Sequence, residues 1–149
     1  MKIRQRFVLL PSVAALSVLG GCAGMPPYQP GADDVMVPIK LFGDGRPQMC
    51  KDGRNYSLAT TDASDTVKVP SGQRISLGAF MQYDGYNVIY TCRPALSFVP
   101  RPGQAYVANT GLNNNRCFIE LVREDLSKDT GVAFEPSLAA ASCTAGTTN

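Results

Sequence analysis

The sequence predicts an all-β fold, a small antiparallel β-sandwich of about seven strands stapled by disulfides, on three observations. Fourteen glycines and eleven prolines punctuate the 149 residues from end to end. Between them lie short runs that alternate apolar and polar residues, with no long stretch at helical spacing. Four widely spaced cysteines, Cys50, Cys92, Cys117 and Cys143, supply the staples. At 44% hydrophobic residues the chain is long enough for one domain with a real core and too short for two.

The first segment, 1–21, reads as a secretory leader. It has a basic start at Lys2, Arg4 and Arg6, an apolar stretch from Phe7 to Leu19, and small residues at Gly20-Gly21. As a helix the apolar stretch spans only about 20 Å, short of the roughly 30 Å of a bilayer core, and Pro11 interrupts it. Removing the leader leaves 11 of the 14 basic residues against 12 acidic ones, so the remaining chain is nearly neutral. With no block of Lys or Arg to neutralise a phosphate backbone, nucleic acid is not an expected partner.

Leu19-Gly20-Gly21-Cys22 resembles the bacterial lipobox. That resemblance implies that the Cys22 thiol takes a diacylglycerol, that cleavage falls just before it, and that the new amine is acylated. Several acyl chains together make a stable anchor at about 0.8 kcal/mol per buried CH₂. The residue after Cys22 is Ala23 rather than the Asp that tends to retain such lipoproteins in the inner membrane. The implied location is the cell envelope, on the outer membrane facing the periplasm.

Segment 22–34 reads as the lipidated cysteine followed by a flexible tether, with three prolines, two glycines and no apolar periodicity after Cys22. Asp33-Asp34 fits solvated tether charge better than a metal pair. The sandwich is expected over 35–143, with a frayed tail at 144–149. Val35, Val37, Ile39 and Leu41 share one face of a first strand, which Pro38 assigns to a sheet edge. Turns follow at Gly43 to Pro47 and at Lys51 to Arg54, then short strands at Tyr56 to Thr60 and Val67 to Pro70.

The longest alternation puts Ile75, Leu77, Ala79 and Met81 on one face, and Asp84-Gly85 signals a hairpin into a return strand from Tyr86 to Arg93. Arg93-Pro94 breaks that ladder, and the Pro-rich stretch to Gly103 crosses to a strand at Ala105 to Asn109. After a turn at Gly111 to Asn115, Cys117, Ile119 and Leu121 alternate with Phe118, Glu120 and Val122. Val132 to Phe134 is expected as an edge strand, and Pro136 to Ser142 as one helical turn.

Four cysteines in an exported domain point to two disulfides. Of the three possible pairings, Cys92 with Cys117 and Cys50 with Cys143 is favoured. The first pair falls on the inward faces of two core strands, and the second lies in loop and tail.

The catalytic inventory is empty by this reading. His and Trp are absent, and no C-x-x-C accompanies the cysteines. Ser71 lies outside any G-x-S-x-G elbow. Asp44, Asp52 and Asp84 each precede glycine as turn residues, without calcium-loop spacing. Glu120, Glu124 and Asp125 read as a solvated strand end. No enzyme activity, metal or cofactor is expected. The remaining contact set is Tyr83, Tyr86, Tyr90, Arg93 and Arg101, since Tyr and Arg are enriched at binding hot spots. For Tyr86 and Tyr90 the stronger expectation is a core role with the hydroxyl at the rim.

Lys51-Asp52-Gly53-Arg54, Val67 to Ile75 with Pro70 and Gly72, and Phe98 to Tyr106 with Pro100 and Gly103 resemble the turn, corner and packing residues of PEGA-like or related β-sandwich domains of small envelope lipoproteins. The resemblance implies no enzymatic activity. The lipobox, the four-cysteine framework and the empty catalytic inventory lead to the expectation of a non-enzymatic, lipid-anchored envelope protein whose sandwich is an interaction or structural module, with an envelope protein as its expected partner. Small disulfide-bonded lipoproteins that protect the envelope from lytic enzymes such as lysozyme are the alternative. Ser71-Gly72 is the candidate inhibitory loop of that alternative.

Overall fold

In the computed structural model, residues 24–61 and 65–143 are described. The segment 1–21 expected as a leader, Cys22 expected as the lipidation residue and the expected tail 144–149 lie outside the described residues. Among the described residues, eleven strands and no helix form two sheets packed as a sandwich. They are β1 Met36–Gly43, β2 Arg46–Lys51, β3 Arg54–Ser57, β4 Thr66–Pro70, β5 Ile75–Gly85, β6 Val88–Cys92, β7 Ala95–Phe98, β8 Tyr106–Asn113, β9 Arg116–Glu124, β10 Val132–Phe134 and β11 Ala139–Ala140. One sheet has the order β10-β9-β8-β1-β4. The other has the order β11-β7-β5-β2-β3, and β6 pairs with the outer half of β5.

The core follows the alternation in the sequence. Val37 and Ile39 from β1, Val67 and Val69 from β4, and Tyr106, Ala108 and Leu121 from β8 and β9 face Met49, Ile75, Leu77 and Phe98 of the opposite sheet. Each such aliphatic or aromatic side chain contributes about 1.5–3 kcal/mol by leaving water. Phe98 and Tyr106 meet edge to face with centroids 5.1 Å apart, and the buried Tyr106 hydroxyl accepts the Arg101 N–H.

Several expectations are corrected. The sandwich is not wholly antiparallel, because β1 and β8 run parallel. The chain leaves β7 at the Val99 to Gly103 corner and enters the other sheet alongside β1 in the same direction. Pro38 is not at an edge either, since β1 lies between β4 and β8. The Leu41 N–H donates to Asp65 O and Val35 O accepts from Ser71 N–H, so odd residues aim their main-chain groups toward β4. The missing N–H of Pro38 therefore faces β8, where pairing starts only at Ile39. The ring costs no ladder bond.

Arg46 to Lys51 is a strand and not a loop between two turns, and Cys50 is buried in it. The β5 hairpin turns at Tyr86-Asn87, two residues later than Asp84-Gly85, so that Gly85 pairs with Val88. Likewise β8 continues to Asn113 and turns at Asn114-Asn115, both at positive φ. The segment Pro136 to Ser142 forms no helical turn; it contains β11 and lies on the sheet as a strap.

The expected tether is docked from Pro26 onward. Ser57 N–H donates to Pro26 O and Tyr28 N–H donates to Ser57 O, continuing the sheet beyond β3. The Tyr28 hydroxyl donates to Asp34 Oδ2 at 2.6 Å, and the ring meets Tyr56 edge to face. Asp34 also accepts the Gly31 N–H. These two bonds hold the Asp34 carboxyl below its ordinary range, the Tyr28 bond being the larger influence. Burial first, and then Asp34, pushes the Tyr28 phenol upward.

Both cysteine pairs form disulfides as expected from the sequence. Cys92–Cys117 ties β6 to β9 and closes one end of the sandwich. Cys50–Cys143 ties β2 to the C-terminal strap. Asn55, Cys50, Ser76 and Ser97 are successive lateral neighbours across β3, β2, β5 and β7. The strap lies along this row. Ser97 Oγ donates to Ala140 O, Ser76 Oγ donates to Ser142 O, and Cys143 bonds to Cys50 beside Asn55. Serine at these two strand positions fits because the hydroxyls bond the strap and are buried by it.

Candidate functional site

The return strand after β5 is one continuous partner interrupted at Arg93-Pro94. Residue numbers in each pair add to the same value in β5–β6 and β5–β7, from Gly85↔Val88 through Met81↔Cys92 to Ile75↔Phe98. Beyond the sandwich proper, β5 and β6 form a projecting hairpin. One of its faces carries Tyr83, Tyr90 and Val88; the other carries Gln82, Asp84, Thr91 and Ile89.

Tyr83 and Tyr90 are directly opposed across the hairpin. They line a cleft of about 500 Å³ between this hairpin and the β8–β9 hairpin, whose Leu112, Asn115 and Cys117 form the other wall. The Cys92–Cys117 bond crosses the base of this cleft. Tyr86 at the tip is 95% exposed, Tyr90 61% and Ile89 63%. The core role expected for Tyr86 and Tyr90 is therefore corrected, because their strand runs past the edge of the opposing sheet. The Tyr83 hydroxyl lies 3.2 Å from Met81 Sδ and 3.4 Å from Asp44 Oδ2. Burial and then Asp44 push its phenol above the ordinary range.

Of the five contact residues, the structure brings together Tyr83, Tyr86 and Tyr90, with Arg93 at the hairpin's base over the Phe80 ring at 5.1 Å. Arg101 is separated from them. It follows Phe98, which pairs with Ile75, so it lies roughly 30 Å along β5 from Gly85.

No catalytic constellation forms from the residues weighed above. Ser71 donates its hydroxyl to Val35 O and is held by its own chain. Asp52 is at φ 52 in the β2–β3 turn. Asp125 accepts from Ser127 N–H and Oγ–H, which lower its carboxyl. Among the described residues, no group of three His, Cys, Asp or Glu side chains is placed to hold a metal ion.

Two features escaped the sequence reading. Glu135 is fully buried, with Oε1 accepting from Ser137 N–H and Oγ–H while Oε2 has no partner among the described residues. A carboxylate just before Pro136 gave no hint of burial. The second is a lateral row on the outer face of the six-stranded sheet. There Arg46 and Arg93 lie over the Phe80 ring at 5.2 and 5.1 Å. The register of a recognised β2 would have revealed it.

No family model matches the chain, and no curated protein or solved structure is significantly similar to it.

Proposed function

We propose that the chain is a non-enzymatic, lipid-anchored envelope protein whose β-sandwich presents the cleft between the β5–β6 and β8–β9 hairpins to a protein partner in the periplasm. The observation that carries this reading is the exposure of Tyr86, Tyr90 and Ile89 on a hairpin held by a disulfide. Large apolar side chains on a monomer's projecting tip mark a contact surface. Tyr is suited to it because it offers area and a hydrogen bond at small entropic cost, and the Cys92–Cys117 bond reduces the ordering needed on binding.

The lipobox resemblance at Leu19 to Cys22 supports the anchor and the envelope location. Among the described residues no helix is long and apolar enough to cross a membrane. The inhibitory reading has Ser71-Gly72 as its loop, but both Ser71 N–H and Ser71 Oγ–H are spent on Val35 O, and no observation favours it.

A photocrosslinking residue in place of Tyr86 tests the site in living cells. The expected result is a discrete adduct with a protein, absent when the same residue replaces the equally exposed Leu126 on the far loop. Identical adducts from both positions, or none from either, would falsify the cleft as the contact site.

A further inference from the structure

We propose that the outer face of the six-stranded sheet binds anionic phospholipid headgroups through Arg46, Phe80 and Arg93, and so lies against the membrane that holds the chain. The inference rests on the lipid anchor at Cys22 for its direction and on the arginine row for its chemistry.

The row is built by register. Arg46 pairs with Phe80 across β2 and β5, and Arg93 occupies the opposing position on the return strand. Both guanidiniums lie over one ring, at 5.2 and 5.1 Å from its centroid. An arginine guanidinium is the group suited to meeting a phosphate with two parallel bonds. Among the described residues the sole ion pair is Lys51 with Asp52, so neither arginine has a carboxylate partner there. Asp44 lines a shallow pocket with Arg46 and Phe80 without forming an ion pair, its Oδ2 lying 3.4 Å from the Tyr83 hydroxyl, and Asp84 stands on the same face but four residues along β5 from Phe80.

The path of the chain selects a lipid surface over an acidic protein. Beside the row, Gly78 and Ala95 floor a groove of about 270 Å³ that Gln48, Cys143 and Arg93 also line. Met25 lines it too, at the point where the N-terminal segment comes off the sheet. Two residues, Ala23 and Gly24, lie between Cys22 and Met25, so the three steps reach at most about 10 Å. An acylated Cys22 therefore holds this groove within about a headgroup layer of the bilayer, where anionic lipid attracts each Arg by about fivefold in equilibrium. Ile89 stands at the hairpin's end on this same face, apolar and exposed, while Tyr83 and Tyr90 point from the opposite face. Headgroup contact and partner cleft thus occupy opposite sides of one hairpin.

The chain has no Trp, so Phe80→Trp in the full chain gives one fluorophore and keeps an aromatic ring between the guanidiniums. The protein is reconstituted into phosphatidylcholine vesicles, alone or with about 30% phosphatidylglycerol, whose acyl chains are brominated near the headgroup. The expected result is strong quenching in anionic vesicles and little in neutral ones. The further changes Arg46→Gln and Arg93→Gln should reduce the apposition equilibrium about 25-fold, as should raising salt from about 0.1 to 1 M in direction. Equal emission in both vesicle types, or quenching that survives the double change, overturns the proposal. So does a fluorescence response to poly-glutamate but not to vesicles, which would assign the row to an acidic protein. The intact mass of the same sample reads the anchor separately. Quenching with unacylated Cys22 keeps the headgroup site and removes the anchor; acylated Cys22 without quenching does the reverse.

Discussion

Single residues set conditions that the rest of the chain obeys. Gly43 ends β1 at φ +92, and a Cβ there would meet Thr110 O at 1.8 Å, backbone that cannot move aside without opening the β1–β8 ladder. Gly43→Ala is expected to cost more than about 3 kcal/mol, seen as a lower denaturation midpoint. Gly72→Ala, at φ +85 but in open space, should cost only about 1–2 kcal/mol. Equal losses at the two positions would contradict the packing around Gly43. At Tyr28 and Asp34 the consequence is a pH window for the docked N-terminal segment. Asp34 is depressed in the folded state, so its contribution is present above the unfolded carboxylate value of about 3.9 and is lost as pH falls through the lower folded value. Tyr28 is raised, so its contribution is complete below about 10 and is lost as pH rises through the higher folded value. Amide exchange at Tyr28 and Ser57 should accelerate at both extremes, and Tyr28→Phe should remove the alkaline arm.

At the scale of elements, the strap and the two hairpins explain what was readable and what was not. The two disulfides close loops of very different length, 93 and 25 residues. Replacing Cys50 and Cys143 with Ser should cost about 4–5 kcal/mol against about 3–4 for Cys92 and Cys117, compared by denaturant titration. A larger loss from the second pair would show that native strain or residual unfolded structure outweighs loop entropy. The pairing was legible because inward Cys92 and Cys117 left no other sensible partner for Cys50. The position of Cys50 was not. Arg46 to Lys51 alternates correctly, but Pro47 and the flanking Asp-Gly pairs mask a strand whose outer face is polar. The Asp84-Gly85 signal failed for a tertiary reason. A turn there would set Tyr83 opposite Tyr86 and lose the alignment of Leu77 with Leu96 and Ile75 with Phe98. Those core pairs, and the disulfide, win over a local turn preference. The Pro136 to Ser142 segment was read from its proline alone; Ser76 and Ser97 determine its conformation from elsewhere in the chain.

For the whole molecule, the sandwich, its core and its staples were readable from alternation and cysteine spacing, while the cleft was only half readable. Tyr83, Tyr86 and Tyr90 were named, yet no alternation pattern tells a strand inside the sheet from one that overshoots it, so their exposure emerged only from the assembled fold. The separation of Arg101 has the same origin, since nearness in sequence at a corner becomes the length of β5 in space. Taken together, one end of the molecule carries the cleft between the two hairpins, one face carries the arginine row, and the docked N-terminal segment leaves beside that row. The proposed placement of this arrangement at a membrane depends on the anchor proposed at Cys22. The most direct measurement is the intact mass of the protein extracted from membranes. The expected species begins at Cys22 and carries a diacylglyceryl group on sulfur and an acyl group on the new amine. A species beginning at Met1, or one beginning at Cys22 with no added lipid, would contradict the account.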